Sequence, residues 1–268
     1  MTREEWNALT VFREEFKAKV DEWNRNFPEL KELQKKAALE AKIPEYPFET
    51  PVVYNTDLDK ITPEDKIRLI VIGDNPGKDE QLSKNQRYLV GQAGKIAEGF
   101  FRRNPELGVD FRKNVIILNK TPIHSAKTAQ LKKIVKFGGE SVEGLIKESQ
   151  LWMAEKTARL HRAFYRCCEL WLVGYSELKE GGFFTDYRDA LYQSYRKYDD
   201  KLPSQDNNAD FLSLWDKVFV FQHFSMNRFT IDLADFEKKN SPALKNKSLI
   251  EKITQLGIMH KNEVFKII

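Results

Sequence analysis

Leu69–Glu80 reads LIVIGDNPGKDE. Leu69, Ile70, Val71 and Ile72 form an unbroken apolar run that ends at Gly73, and Asp74, Asn75, Pro76 and Gly77 follow at once. A strand with one wet face alternates apolar and polar residues. An unbroken run rich in β-branched residues instead predicts a strand covered on both faces, as in a parallel sheet. The Asp-Asn-Pro-Gly composition then predicts a tight polar bend at its carboxyl end. The same signature recurs downstream in NVIILN (114–119), ELWLVGYS (169–176) and KVFVFQ (217–222). Between these runs lie segments with helical spacing: 91–103, 128–137, 142–166 and 184–198. In 142–166, Leu145, Trp152, Leu160 and Phe164 fall on one face. DDKLPSQDNNAD (199–210) reads as a polar loop, and helices around 229–239 and 246–257 are predicted to close the chain. Strands separated by helices predict an α/β fold, a three-layer α/β/α arrangement around a central four-stranded parallel sheet.

Upstream, residues 3–42 read as helix. Trp6, Leu9, Phe12, Phe16, Val20 and Trp23 recur every three or four residues with charges between them, and PELKELQKKAALEAK follows Phe27 as a second piece. IPEYPFETPVVYN (43–55) carries three prolines and breaks the pattern. The expected organisation is an N-terminal helical extension, 1–60, acting as a structural flank, and an α/β domain, 61–268.

Composition bounds the function. The 268 residues are 41% hydrophobic and 31% charged, and 44 basic against 40 acidic side chains leave a formal charge of +4. That balance alone points to no nucleic acid. Its distribution is more telling: Phe111–Gly139 holds no Asp or Glu, but includes Arg112, Lys113, Lys120, Lys127, Lys132, Lys133 and Lys136. Such a run is either a solvated helix face or a local basic patch. Cys167 and Cys168, the two cysteines, are adjacent. They give neither a disulfide framework nor the spacing of a four-cysteine metal or iron–sulfur site. The N-terminal MTREEWNALTVFREEF lacks an apolar signal core, and no apolar run approaches a membrane span of about 18 residues. A cytoplasmic, monomeric protein is expected.

In open parallel sheets, ligands gather at the carboxyl ends of the strands. Asp74–Gly77, Asn119–Thr121, Gly174–Ser176 and Gln222–Ser225 occupy those four ends. Asn75 can hold a water in one orientation, and Asp74 and Glu80 can accept a proton in a suitable environment. Asn119 can donate and accept at once, which suits a pyrimidine edge. His223 can donate to an oxygen on which negative charge develops. Each also has a plainer role: strand-end Asn residues commonly cap turns, a single His commonly completes a core, and GQAG suits close helix packing. Neither a Walker-type G-K-[ST] nor a G-x-G-x-x-G follows a strand, which argues against a phosphate-binding metabolic enzyme.

Together these segments resemble the uracil-DNA glycosylase superfamily. IGDNPGKDE, followed by VGQAGKIAEGFF, resembles its first motif. The iron–sulfur branch opens G-E-A-P-G-x-x-E and continues V-G-x-A-G. Gly73, Pro76, Gly77, Glu80, Val90, Gly91, Ala93 and Gly94 match, with two residues inserted between the halves. The single-strand-selective and mismatch-specific branches carry G-x-N-P-G, which Gly73–Gly77 match in full. VIILN resembles the L-L-L-N strand, and HFSMNR resembles the late H-P-S-P loop at His223 and Ser225. The resemblance spans roughly 67–235.

It implies hydrolysis of an N-glycosidic bond, after a uracil or related deaminated base is flipped out of DNA. Asn119 would bind the base edge, Asn75 would position water, with Asp74 beside it, and His223 would stabilise the departing base. No cofactor or metal is implied. Backbone amides at Pro76–Gly77, with Ser225, would hold phosphates. Met226, Asn227 or Arg228 would fill the vacated space, and Lys120 and Lys127 would lie along the strand. Several branches carry Asp at position 75. The aromatic that stacks on the base in other members falls at Leu89, with Tyr88 one place earlier, and a bulky thymine-excluding Tyr falls at Gly77. Phe224 and Met226 stand at loop positions where prolines are expected, and the cluster cysteines are absent. The alternative reading is a catalytically weak or inactive nucleic-acid-binding protein of the same fold.

Overall fold

The computed structural model describes residues 1–199 and 214–266; most of the polar loop expected at 199–210 lies outside the described residues. The apolar runs form β1 (Leu69–Gly73), β2 (Val115–Asn119), β3 (Glu169–Val173) and β4 (Val218–Phe221), paired in parallel in the order β2-β1-β3-β4. The helices are α1 (Arg3–Asn26), α2 (Leu30–Glu40), α3 (Gln92–Arg103), α4 (Ala129–Ala163), α5 (Tyr175–Leu178), α6 (Thr185–Asp199), α7 (Arg228–Lys239), α8 (Ser241–Leu244) and α9 (Leu249–Phe265).

Strand side chains alternate between two apolar cores, as the two-residue period of a strand requires. Ile70, Ile72, Ile116, Leu118, Leu170, Leu172, Val218 and Val220 pack with residues of α1, α2, α4 and α6. Leu69, Val71, Val115, Ile117, Trp171, Val173, Phe219 and Phe221 pack with residues of α3, α7 and α9. The result is the three-layer α/β/α fold.

Residues 1–60 contribute mostly to the first of these cores, with Val53 on the second. Leu9, Phe12, Phe16, Val20 and Trp23 form the stripe expected from their spacing, and all are buried. A Thr2–Glu5 capping box starts α1. Val52 bridges Ile123 in antiparallel fashion, and Asn55 donates to Ile117 O at 2.8 Å. The segment therefore continues the hydrogen bonding of the sheet's carboxyl end.

Boundaries moved where turn chemistry overrode the apolar run. β3 ends at Val173, three residues earlier than its run suggests, because Gly174 turns left-handed (φ +99°) and α5 begins. A Cβ at Gly174 would meet Asp74 Oδ1 at 2.2 Å, so the turn also makes room for that carboxylate. Gly139 breaks α4 (φ +65°), separating the two helical pieces expected there. α9 runs on to Phe265 rather than ending near 257, because Leu256, His260 and Val264 continue its buried stripe.

Candidate active site

A cleft of about 660 Å³ opens where β1, β2 and β4 end. Asp74, Asn75, Gly77, Leu89, Asn119, Lys127, His223, Ser225 and Met226, all singled out from sequence, line it. The register explains part of this convergence: Gly73 pairs with Asn119, the last residues of adjacent parallel strands. A Cβ at Gly73 would lie 2.4 Å from Asn119 Oδ1, so only glycine lets that amide lie across the strand end. Asn119 is buried, and among the described residues its Nδ2 has no acceptor. Leaving such a donor unmet costs about 1–3 kcal/mol.

Asn75 is held in a single orientation. Its Nδ2 donates to Ser125 O (3.0 Å), Ser125 Oγ (2.9 Å) and Pro76 O (3.1 Å). Its Oδ1 accepts from Thr128 Oγ1 at 3.1 Å, which leaves one lone pair for a water. Sequence reading missed Ser125 and Thr128, which line the cleft from the turn entering α4. The available signal was the Ser-x-x-Thr spacing just beyond the strand-end residues, at a helix start.

His223 follows β4. The backbone N–H of Ser225 donates to its Nδ1 at 3.1 Å, so Nδ1 bears the lone pair and the neutral ring carries its proton on Nε2. Burial lowers the imidazole below its ordinary value; Asp74 opposes that shift and Lys120 adds to it. The ring is therefore a neutral donor at pH 7. Ser225 Oγ lies 2.8 Å from the same Nδ1.

Two carboxyl groups flank these residues. Asp74 Oδ1 pairs with Lys120 Nζ at 2.6 Å. Lys120 is completely buried and also donates to the strand-end carbonyls of Val173 (2.5 Å) and Gly73 (3.3 Å). Glu80 lines the cleft, and burial pushes its carboxyl up to about 7, against hydrogen bonds from the backbone of Gly77, Leu89 and Val90. It titrates in the range where a general acid or base is useful.

Several expectations are corrected. Lys120 cannot lie along a nucleic-acid strand, because its ammonium is enclosed by Asp74 and two carbonyls. Tyr88 does not reach a base: it is fully buried on the second core and donates to Val53 O at 2.5 Å. The chain turns at Leu89 (φ +51°), so the two neighbours diverge and Leu89 alone meets the cleft. Pro76 is buried and has no N–H, and the Gly77 N–H is already donated to Glu80 Oε2 at 3.1 Å, so this peptide offers phosphate no free donor. Asn227 and Arg228 are exposed beside the cleft rather than in its lining. The basic run is also partly neutralised, with Arg112 on Glu98 (3.2 Å) and Lys133 on Glu40 (2.5 Å).

Among the described residues, no group of three or more His, Cys, Asp or Glu side chains is placed to hold a metal ion. Among the described residues, no helix is long and apolar enough to cross a membrane. No protein-family model, curated protein or solved structure matches the chain.

Proposed function

We propose that this cleft hydrolyses the N-glycosidic bond of uracil or a related deaminated base in DNA. The observation that carries the reading is the convergence of Asn75, Asn119 and His223 on one cleft, with the Asn119 Nδ2 donor buried and unmet. A pyrimidine carbonyl supplies the missing acceptor, and the volume suits a flipped nucleotide. In this mechanism Asn75 Oδ1 orients the attacking water. His223 donates from Nε2 to the base oxygen that gains negative charge as the bond breaks. Asp74 is already paired with the Lys120 ammonium, so Glu80 in its ionised form supplies the negative charge toward the cationic sugar that the neutral Asn75 cannot.

The rim supports the same reading. Met226 is 77% exposed at the tip of the loop after β4, placed as an apolar wedge for the stack. Lys127 and Arg228 are exposed beside it and suit backbone phosphates. The chemistry needs no bound cofactor, and two free thiols suit a reducing cytoplasm. The test is release of free base from single- and double-stranded oligonucleotides carrying uracil, xanthine or hypoxanthine. Release by the native protein that is lost in Asn75→Ala and His223→Ala is the expected result. Salt-dependent binding with no base released from any of them would leave the nucleic-acid-binding reading instead.

A further inference from the structure

Residues 46–50 belong to the segment expected to be a structural flank, yet they grip the loop after β1 from two directions. Gln81 donates from Nε2 to Pro47 O at 2.6 Å. Its Oε1 accepts from the backbone of Glu49 (2.6 Å) and Thr50 (3.2 Å). The Glu49 carboxylate accepts from Ser83 N at 2.5 Å. On the other side, the Tyr46 hydroxyl lies 3.0 Å from Nε2 of His124, and Nδ1 of His124 lies 2.9 Å from Pro76 O.

The chemistry gives this chain a direction. A carbonyl only accepts, so Nδ1 of His124 carries the proton. Nε2 then holds the lone pair, and the Tyr46 hydroxyl is the donor. Burial lowers the His124 imidazole to about 4, so the ring stays neutral near pH 7. The Pro76 carbonyl at the end of the chain also accepts from Ser125 N (3.1 Å) and from the Asn75 amide (3.1 Å). One carbonyl thus joins a relay that starts outside the cleft to the side chain that meets the water.

We infer that His124 is a positioning residue for Asn75: the Pro76 carbonyl fixes its tautomer, Tyr46 holds the ring through Nε2, His124 anchors the Pro76 carbonyl, and that carbonyl helps aim the Asn75 amide. Residues 46–50 then act as a brace on the site. The catalytic consequence rests on the glycosylase reading, but the positioning does not. Asn75 has two other acceptors on Ser125, so losing the relay should loosen its aim without detaching it. Small misplacements of a reacting group cost up to about 100-fold in rate.

The test uses the full-length, nitrogen-15-labelled protein and three variants: Tyr46→Phe, His124→Ala and His124→Asn. The Asn side chain places an N–H donor near the position of Nδ1 but offers Tyr46 no imidazole. In the native protein, the imidazole nitrogen shifts should report the Nδ1–H tautomer at neutral pH. The side-chain amide protons of Asn75 should exchange with water faster in Tyr46→Phe, fastest in His124→Ala, and return toward native in His124→Asn. Base release should follow that order in kcat, with KM unchanged. An Nε2–H tautomer, or native amide exchange in both Tyr46→Phe and His124→Ala, would overturn the inference. A native protein that releases no base overturns the glycosylase reading alone, because the amide exchange still decides whether His124 positions Asn75.

Discussion

In the loop after β1, Asn75 donates to three oxygens, the Pro76 carbonyl accepts three hydrogen bonds, and the Gly77 N–H is held by Glu80. In the loop after β4, Phe224 and Phe229 are buried anchors, but Met226, Asn227 and Arg228 between them are exposed. Met226 and Asn227 also adopt left-handed backbone conformations (φ +53° and +57°), uncommon for residues other than glycine. Both loops border one cleft. The first spends its polar groups on its own rigidity and presents one oriented amide. The second rests on a fixed histidine and projects an apolar tip. On the proposed reading, the groups that meet a water and a base are the locked ones, whereas the residue that enters a base stack is the one left outside.

The largest expected effect comes from breaking the rigid side of this contrast. Lys120→Met leaves the largely enclosed Asp74 carboxylate without its cation, and should cost about 3–5 kcal/mol of stability in denaturant unfolding. If the loss is under about 1 kcal/mol, the Lys120–Asp74 pair is not what holds the strand ends together. Next is His223→Ala, expected to slow single-turnover base release by about 10²–10³-fold with the unfolding midpoint little changed.

Glu80 sharpens the comparison through pH. Its folded value, about 7, is raised above its ordinary 4.5. The folded state therefore holds its proton more tightly than the unfolded chain does. The associated stability is fully present below about 4.5 and is lost as pH rises through about 7, by on the order of 3 kcal/mol. Unfolding of native protein and Glu80→Gln from pH 4 to 8 should show the native curve falling relative to the variant across that window; parallel curves would contradict the assignment.

The smallest effect lies on the projecting side. Met226→Ala should leave stability within about 0.5 kcal/mol, while weakening binding of a uracil-containing duplex by about 1 kcal/mol through lost apolar contact. Titration at fixed salt measures it. A large loss of stability instead would mean that Met226 is a packing residue.

Much of the fold is legible in local pattern. LIVIG, VIILN, ELWLV and VFVF read as covered strands because hydrophobic periodicity is a property of neighbouring residues, and the α1 stripe of Leu9, Phe12, Phe16, Val20 and Trp23 does so for the same reason. Strand-end position alone also brought Asn75, Asn119 and His223 forward, since parallel strands of similar length bring their carboxyl ends to one rim. Errors arose where adjacent residues part company. Asn119 meets the cleft while Lys120, next in sequence, turns under Asp74 to carbonyls 47 and 53 residues away. Leu89 meets the cleft while Tyr88 enters the core.

By itself, then, the sequence determined the alternation of strands and helices, the polar turn after Gly73 and the candidates at the strand ends, because each is written in spacings of two to four residues. Only the tertiary structure decided that Asn75 is clamped by Ser125 and Thr128, that a lysine in a basic run is buried, and that Tyr46 reaches the site through His124. Those outcomes depend on partners 46 to 78 residues apart in the chain. A hydrogen bond is set by the distance and direction of its partner, and those exist only once the sheet has brought the strand ends together.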